Sequence, residues 1–297
     1  MCGIAGLFLK NKTLEPQLGA MLHRMLETLS DRGPDSAGFA VFGGGEVGRI
    51  KSTLRIAAGA DTTALIARLE SRFGALAPVV RSNHVIISVA ADMHDQLQSA
   101  VLALAPAVEL VGSGARMELY KEVGLPGDVA KRFALSSMSG THAIGHTRMA
   151  TESAVTTNGA HPFSTGLDQC LVHNGSLSNH NAVRRTLRGE GLSFATDNDS
   201  EVAAGYLTWR MREGASLEQA LTQSLDDLDG FYTFVVGTES GFAVLRDPIA
   251  CKPAVMAETD DYVAFGSEYR ALDSLPGIDK ARVFEPDPAR VYAWERA

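Results

Sequence analysis

The sequence has little cysteine and little tryptophan: three cysteines (Cys2, Cys170, Cys251) and two tryptophans in 297 residues. Three thiols cannot build a disulfide framework or a four-thiolate metal cluster. A basic surplus is also missing. The chain carries 27 Lys and Arg against 35 Asp and Glu, a formal net charge of −8. That argues against nucleic acid as the main partner, because phosphate binding needs a basic face. Long apolar runs are missing too. The most apolar stretch, residues 101–111, is broken by Pro106 and Glu109, far short of the ~20 residues a membrane-crossing helix needs. The first residues lack a basic segment followed by an apolar segment and a cleavage site, and Cys2 stands where a myristoylation signal requires Gly. The expectation is a cytoplasmic protein with reduced thiols and no membrane partner.

The composition that remains is that of a globular protein, with 45% hydrophobic and 21% charged residues, which excludes wholesale disorder. The length suggests one or two domains and a core that needs no staples. Residues 2–9 (CGIAGLFL) form a short apolar run, the pattern of a buried strand. Leu18, Met21, Leu22, Met25, Leu26 and Leu29 recur at helical spacing within residues 14–30. The segment DRGPDSAGFAVFGGG gives a turn cluster, then a strand ending in glycines. Residues 59–135 have a different texture: helix, strand, helix with Asp92 or Asp95 as a cap, then two strands. This reads as a small α/β unit inserted in the chain. It offers no candidate chemistry. His84 and His94 within it are expected to be surface or hydrogen-bonded residues. After residue 136 many short strands and three amphipathic helices suggest two packed sheets covered by helices. Glu239 to Gly241 and Thr259 to Asp261 read as tight turns. There is no internal repeat.

Cys2 directly follows the initiator Met, and a residue this small permits the Met to be trimmed. Cys2 would then begin the mature chain, with its own α-amine as the base beside the thiol. Such an amine titrates near ~7.7–8 and accepts the thiol proton at neutral pH. Taken alone, Cys2 is equally a small residue of a buried strand. Other motifs add to it. Asn174-Gly175, after His173, can aim a side-chain amide and a backbone N–H at a developing oxyanion, although Asn-Gly is also a common turn. Arg148, in GHTRMAT, suits bidentate capture of a carboxylate or a surface ion pair. Asp199, in DNDSE, is either a helix cap or a partner for a substrate ammonium. Arg32-Gly33-Pro34-Asp35-Ser36 reads as a turn.

Together, CGIAG, RGPDSAG, GHTRMAT, NGAHPF, HNGSLSN and DNDSE resemble the class II glutamine amidotransferases, which are N-terminal-nucleophile hydrolases. The six motifs occur in the family order over residues 2–58 and 136–297. Asp229-Gly230, Arg246-Asp247-Pro248, Lys252-Pro253 and Gly266-Ser267-Glu268 add to the likeness. The resemblance implies an α+β fold, a four-layer αββα sandwich, with residues 59–135 as a small α/β insertion. It implies that Cys2 attacks the glutamine side-chain amide, that its amine is the base, and that Asn174 and Gly175 form the oxyanion hole. It implies that Arg148 holds the α-carboxylate and Asp199 the α-ammonium, with Thr151 and His161 lining the pocket. The sequence departs from the family pattern in two ways: Met149 stands where many relatives have a bulky aromatic and Glu152 where several have His or Gly, and the inserted α/β unit is longer than the corresponding stretch in many relatives.

Amidotransferases usually pass ammonia to a second active site. The sequence has no P-loop and no Gly-rich dinucleotide fingerprint. Within the class, the chain looks most similar to free-standing glutamate-synthase-like amidotransferase subunits, that of N-methylglutamate synthase first among them. The resemblance implies no cofactor or metal in this chain. It implies a hetero-oligomer with a separate synthase subunit carrying flavin and an iron–sulfur cluster, and glutamine or γ-glutamylmethylamide as the amide. Two alternatives stand beside it: a non-catalytic subunit binding glutamine or glutamate, and an amidase acting on another amide. Arg148 with Asp199 argues against the latter, because the pair complements an α-amino acid head.

Overall fold

The computed structural model describes residues 2–150 and 154–296. The chain starts with β1 (Gly3–Leu9), α1 (Leu18–Thr28) and β2 (Ser36–Phe42). Then come β3 (Arg49–Ile56), α2 (Thr62–Phe73), β4 (Val79–Arg81), β5 (His84–Ala90), α3 (His94–Leu102) and β6 (Val108–Gly114). Next are β7 (Met117–Val123), α4 (Pro126–Arg132), β8 (His142–Arg148), β9 (Phe163–Gly166) and β10 (Gln169–Leu177). Three helices follow, α5 (His180–Gly189), α6 (Asp199–Arg212) and α7 (Leu217–Asp227). The last strands are β11 (Gly230–Thr238), β12 (Gly241–Arg246), β13 (Val255–Glu258), β14 (Tyr262–Gly266), β15 (Arg282–Phe284) and β16 (Val291–Glu295). Among the described residues no helix is long and apolar enough to cross a membrane.

Antiparallel pairing sorts the strands into three sheets. The first, of seven strands, runs β15-β13-β14-β1-β8-β2-β7; the second, of five, runs β16-β12-β11-β10-β9. Alternate residues of β1 explain how these two stack. Ile4 and Phe8 join Ile144, Val172, Val235 and Phe242 in a core between the sheets. Ala5, Leu7 and Leu9 face the other way, under the Leu18–Leu29 stripe of α1. A strand with apolar side chains on both faces needs cover on both. Helices α6 and α7 cover the outer face of the second sheet through Val202, Leu207, Leu217 and Leu221. The layers are therefore helix, sheet, sheet, helix, the four-layer αββα sandwich.

The third sheet, β4-β5-β3-β6, with α2 and α3 has its own core around Leu54, Leu69, Ile87 and Leu97. Its limits differ from the 59–135 expected from texture. Strand β3 precedes residue 59 yet pairs with β5 and β6. Strand β7 and helix α4 precede residue 135 yet belong to the main body: β7 pairs with β2 along its length, and α4 contributes Val129 and Ala130 to the core under α1. The inserted unit thus leaves after β2 and returns at β7, where Phe42 is opposite Met117. Helix α4 was not expected at all, although Pro126 at its first turn is a helix-start signal.

Neither Asp92 nor Asp95 caps α3. Met93 occupies the N-cap position with no side-chain hydrogen bond, and a 3₁₀ turn over Ala91–Met93 leads into the helix. His84 and His94 are buried, not at the surface. His84 packs edge-on against Phe133 at 4.6 Å between ring centroids. The two turns are where the pattern put them: β11 and β12 join through 239–240, and the Thr259 hydroxyl accepts from the backbone N–H groups of Asp261 and Tyr262, both at 3.1 Å.

His142 is a pH sensor of this core. It stacks on Phe42 at 4.2 Å, and Nε2 donates to the Thr238 carbonyl at 2.7 Å. Burial pulls its pKa from 6.5 to about 3. The unfolded chain therefore binds the extra proton between these values, so the stabilisation is complete above pH 6.5 and is lost as pH falls toward 3. His142→Gln should reduce the slope of stability against pH in that window by up to about 1.4 kcal/mol per pH unit. Urea midpoints measured from pH 4 to 7 check this; an unchanged slope would contradict neutral burial.

Candidate active site

The main sheets leave a cleft where the start of β1, the end of β8, the middle of β10 and the N-terminus of α6 converge. Register fixes the first two: Gly3 is opposite Thr147 across β1 and β8, so Cys2 falls beside Arg148. The cleft encloses about 570 Å³. Cys2, Arg148, His161, Asn174, Gly175 and Asp199 all line it. Thr151, and with it Glu152, lies outside the described residues.

The Cys2 end is held by several hydrogen bonds. Arg32 Nε donates to the Cys2 carbonyl at 3.0 Å, while Arg32 Nη1 pairs with Glu268 at 2.5 Å. Asn174 Nδ2 donates to the same carbonyl at 3.3 Å. Ile4 N–H donates to Ser267 Oγ at 2.9 Å, and Ser267 N–H donates back to the Ile4 carbonyl at 3.0 Å. Cys2 Sγ lies 3.9 Å from the Met149 carbonyl oxygen. The RGPDS segment is therefore more than a turn. Arg32 grips Cys2, and Asp35 grips the end of β8. Asp35 N–H donates to the Arg148 carbonyl at 3.1 Å, and its carboxylate accepts from Ala150 N–H at 2.8 Å. Gly33 sits so close to β8 that a Cβ would lie 2.5 Å from Arg148 N.

Opposite Cys2, Asp199 is the first residue of α6, where the helix dipole favours a carboxylate. One oxygen accepts from Leu177 N–H at 2.9 Å, and the other lies 3.3 Å from Ser200 Oγ. The helix cap is Asn198, whose side chain accepts from Ser200 N–H at 2.8 Å, which leaves Asp199 facing the cleft. The buried Arg148 guanidinium lies 3.4 Å from the Ala154 carbonyl. Cation and carboxylate thus stand in one cleft with the thiol.

Sequence reasoning placed His161 in the lining but missed His173, which lines it too. His146 and His161 stack at 4.0 Å, and His146 Nε2 donates to the His173 carbonyl at 3.0 Å. His173 Nδ1 is 2.8 Å from Ser200 Oγ. Burial holds His146 at about 3, His161 well below its usual value and His173 below 6.5, so all three are neutral at neutral pH. Lys252 also lines the cleft. Buried Asp247 shapes its loop by accepting from Tyr232 and Ile249 N–H groups, and Arg246 donates to the carbonyls of Pro286, Ala250 and Lys252. The Arg246-Asp247-Pro248 and Lys252-Pro253 motifs were the available signal.

Comparison with known proteins agrees with this geometry. A family model described as a glutamine amidotransferase domain matches residues 146–274. The glutamine amidotransferase-like protein GlxB of Rhizobium meliloti is 60% identical over 296 residues, covering 99% of this chain and 98% of that protein. An amidophosphoribosyltransferase of Methanocaldococcus jannaschii is 30% identical over 165 residues, covering 54% of this chain and 35% of that protein. In the solved structure of the glutamine phosphoribosylpyrophosphate amidotransferase from B. subtilis, the match has a TM-score of 0.63 at 21% identity, covering 99% of this chain and 47% of that one. That last likeness is one of fold.

Gly175 gives this site a direct test. At φ +157, a Cβ there would lie 2.0 Å from the Phe231 carbonyl oxygen and 2.7 Å from His173 Nε2. Gly175→Ala should destabilise the protein by more than about 2 kcal/mol. A urea midpoint equal to that of the wild type would show that β10 gives way freely.

Proposed function

Given that the chain belongs to the glutamine amidotransferase family, we propose that Cys2 cleaves the side-chain amide of glutamine, or of a γ-glutamyl amide, through a thioester. The observation that carries this reading is the convergence in one cleft of Cys2, the Asn174-Gly175 pair, Arg148 and Asp199. Arg148 takes the α-carboxylate as a planar fork, and Asp199 takes the α-ammonium. The amide is thereby presented to Sγ, which converts a bimolecular encounter into an oriented attack.

The α-amine of a mature Cys2 removes the thiol proton, and Sγ bonds to the amide carbon. Asn174 Nδ2 and the Gly175 N–H stabilise the oxyanion. The C–N bond then breaks, the protonated amine returns its proton to the leaving nitrogen, and ammonia departs. Water, deprotonated by the same amine, attacks the γ-glutamyl thioester, releasing glutamate and restoring the thiol. The neutral His161 forms part of the wall. Thr151 keeps a pocket-lining role by resemblance alone.

The finer reading is that the nitrogen goes to a separate synthase subunit of the glutamate synthase type in a hetero-oligomer. With γ-glutamylmethylamide as the amide, the group passed on is methylamine, as N-methylglutamate synthase would require. Flavin and an iron–sulfur cluster would then sit on the partner. The motif likeness over residues 2–58 and 136–297 supports this assignment, and the site supports only the amide-cleaving half.

Intact mass should show a chain beginning at Cys2 that takes up one equivalent of an electrophilic glutamine analogue. Cys2→Ala should lose this labelling and at least about 10³-fold of glutamine hydrolysis. Full hydrolysis by Cys2→Ala, or retention of Met1 on active protein, would overturn the mechanism. Comparing kcat/KM for glutamine and γ-glutamylmethylamide tests the finer reading, which fails if the methylamide is not cleaved by the chain with its co-purifying subunits.

A further inference from the structure

The wall of the cleft is gripped from behind by the inserted unit. Thr156, Gly159 and His161 face the cleft, while Asn158 turns away into a second cavity of about 580 Å³. That cavity lies between β3, α3 and β6 of the insertion and β9, α6 and residues 193–196 of the body. Arg55 on β3 and Glu109 on β6 are opposite each other in the third sheet and form an ion pair there. Arg55 Nη2 donates to Asn158 Oδ1 at 3.0 Å, and Asn158 Nδ2 donates to Glu109 at 3.5 Å. From the main sheet, Lys121 Nζ donates to the backbone carbonyls of Asn158 at 3.2 Å and Ala160 at 3.0 Å. On the cleft side, Arg148 Nη1 lies only 3.6 Å from where a Cβ of Gly159 would sit.

The contacts therefore run from Arg55 through Asn158 to the backbone beside Gly159, and Gly159 lines the cleft together with Arg148. We infer that Arg55 is a positioning residue for glutamine binding: with Glu109 it fixes Asn158, which sets Gly159 against the guanidinium that receives the α-carboxylate. The inference rests on the role proposed for Arg148. It gives the insertion, which has no catalytic group of its own, a part in the chemistry. Of the two cations holding this loop, Arg55 is the better one to remove. Its side chain is 21% exposed, and a partly exposed ion pair contributes little to global stability. Lys121 is buried, and its loss would strand two carbonyls.

The test uses the full chain with its co-purifying subunits and compares wild type, Arg55→Ala, Asn158→Ala and the double variant. Each single change should raise KM for glutamine roughly tenfold with kcat within about twofold. The double variant should be no worse than either single, since both break one path. Labelling by the electrophilic glutamine analogue at subsaturating concentration should slow by the same factor. Alkylation of Cys2 by iodoacetamide, which has no carboxylate, should not change. Arg55→Lys should recover part of the loss. The inference fails if KM is unchanged, if the two single effects add, or if iodoacetamide alkylation falls in step with kcat. If wild type itself resists the glutamine analogue, the assignment of the cleft fails first, and the two failures are distinguishable.

Discussion

The Arg32 contact to the Cys2 carbonyl is the interaction on which this site depends. Segments that lead into a strand are poorly ordered unless tied down. Here β1 is tied on both edges, by β8 and β14, and its first residues are held by side chains as well as by the ladder. Arg32 reaches Cys2 with one nitrogen and Glu268 with another, so three distant segments meet at a single guanidinium. A lysine would offer one charged point where two fixed directions are needed. The Ser267–Ile4 exchange locks the chain two residues further on. Cys2 thus leads directly into a strand paired on both edges, with its own carbonyl held by two side chains.

Burial of the histidines serves the same end electrostatically. His173 Nδ1 is 3.8 Å from Asp199 Oδ1. A protonated His173 would pair with that carboxylate and neutralise it. Desolvation holds it neutral, and its Nδ1 is occupied by the Ser200 hydroxyl. His146 and His161 are neutral for the same reason. These imidazoles therefore add no positive charge between the Asp199 carboxylate and the Arg148 guanidinium, which line the same cleft.

The local parts of this arrangement were legible in the sequence. The run at residues 2–9, the Leu18–Leu29 stripe and the three helices after residue 180 follow from periodicity, and the two-sheet sandwich follows from them. The cleft residues were legible because each sits in a short motif. What could not be read was pairing. Strand β3 alternates polar and apolar residues as well as any strand of the main sheets, and only its partners β5 and β6 place it in the insertion. Strand β7 shows the same limit in reverse. The work of Arg32 and Asp35 was hidden for a related reason, since Cys2 is 30 residues from Arg32, and Glu268, Arg148 and Ala150 are all more than a hundred residues from the residues they meet. His84 and His94 looked peripheral because a histidine carries no mark of burial until the rings around it are known.

The topology also explains how a body built around one cleft tolerates such an insertion. Residues 43–116 replace the turn of the β2–β7 hairpin, so they leave and return at neighbouring points, and Gly43 N–H closes the neck on the Arg116 carbonyl at 3.0 Å. Closing a loop costs only about 0.6 kcal/mol more for each doubling of its length. The hairpin therefore survives the insertion. A neck alone would leave the unit free to swing. Asp168 prevents this on one side, because its carboxylate accepts from the successive N–H groups of Ala115, Arg116 and Met117 and so fastens the returning strand to the β9–β10 turn. The Arg55–Glu109 pair fastens the other side through Asn158. Lys51 with Glu118 and Asn83 with Glu122 add further links between the unit and β7, and the Arg55–Glu109 link is the one that falls on the loop that walls the cleft.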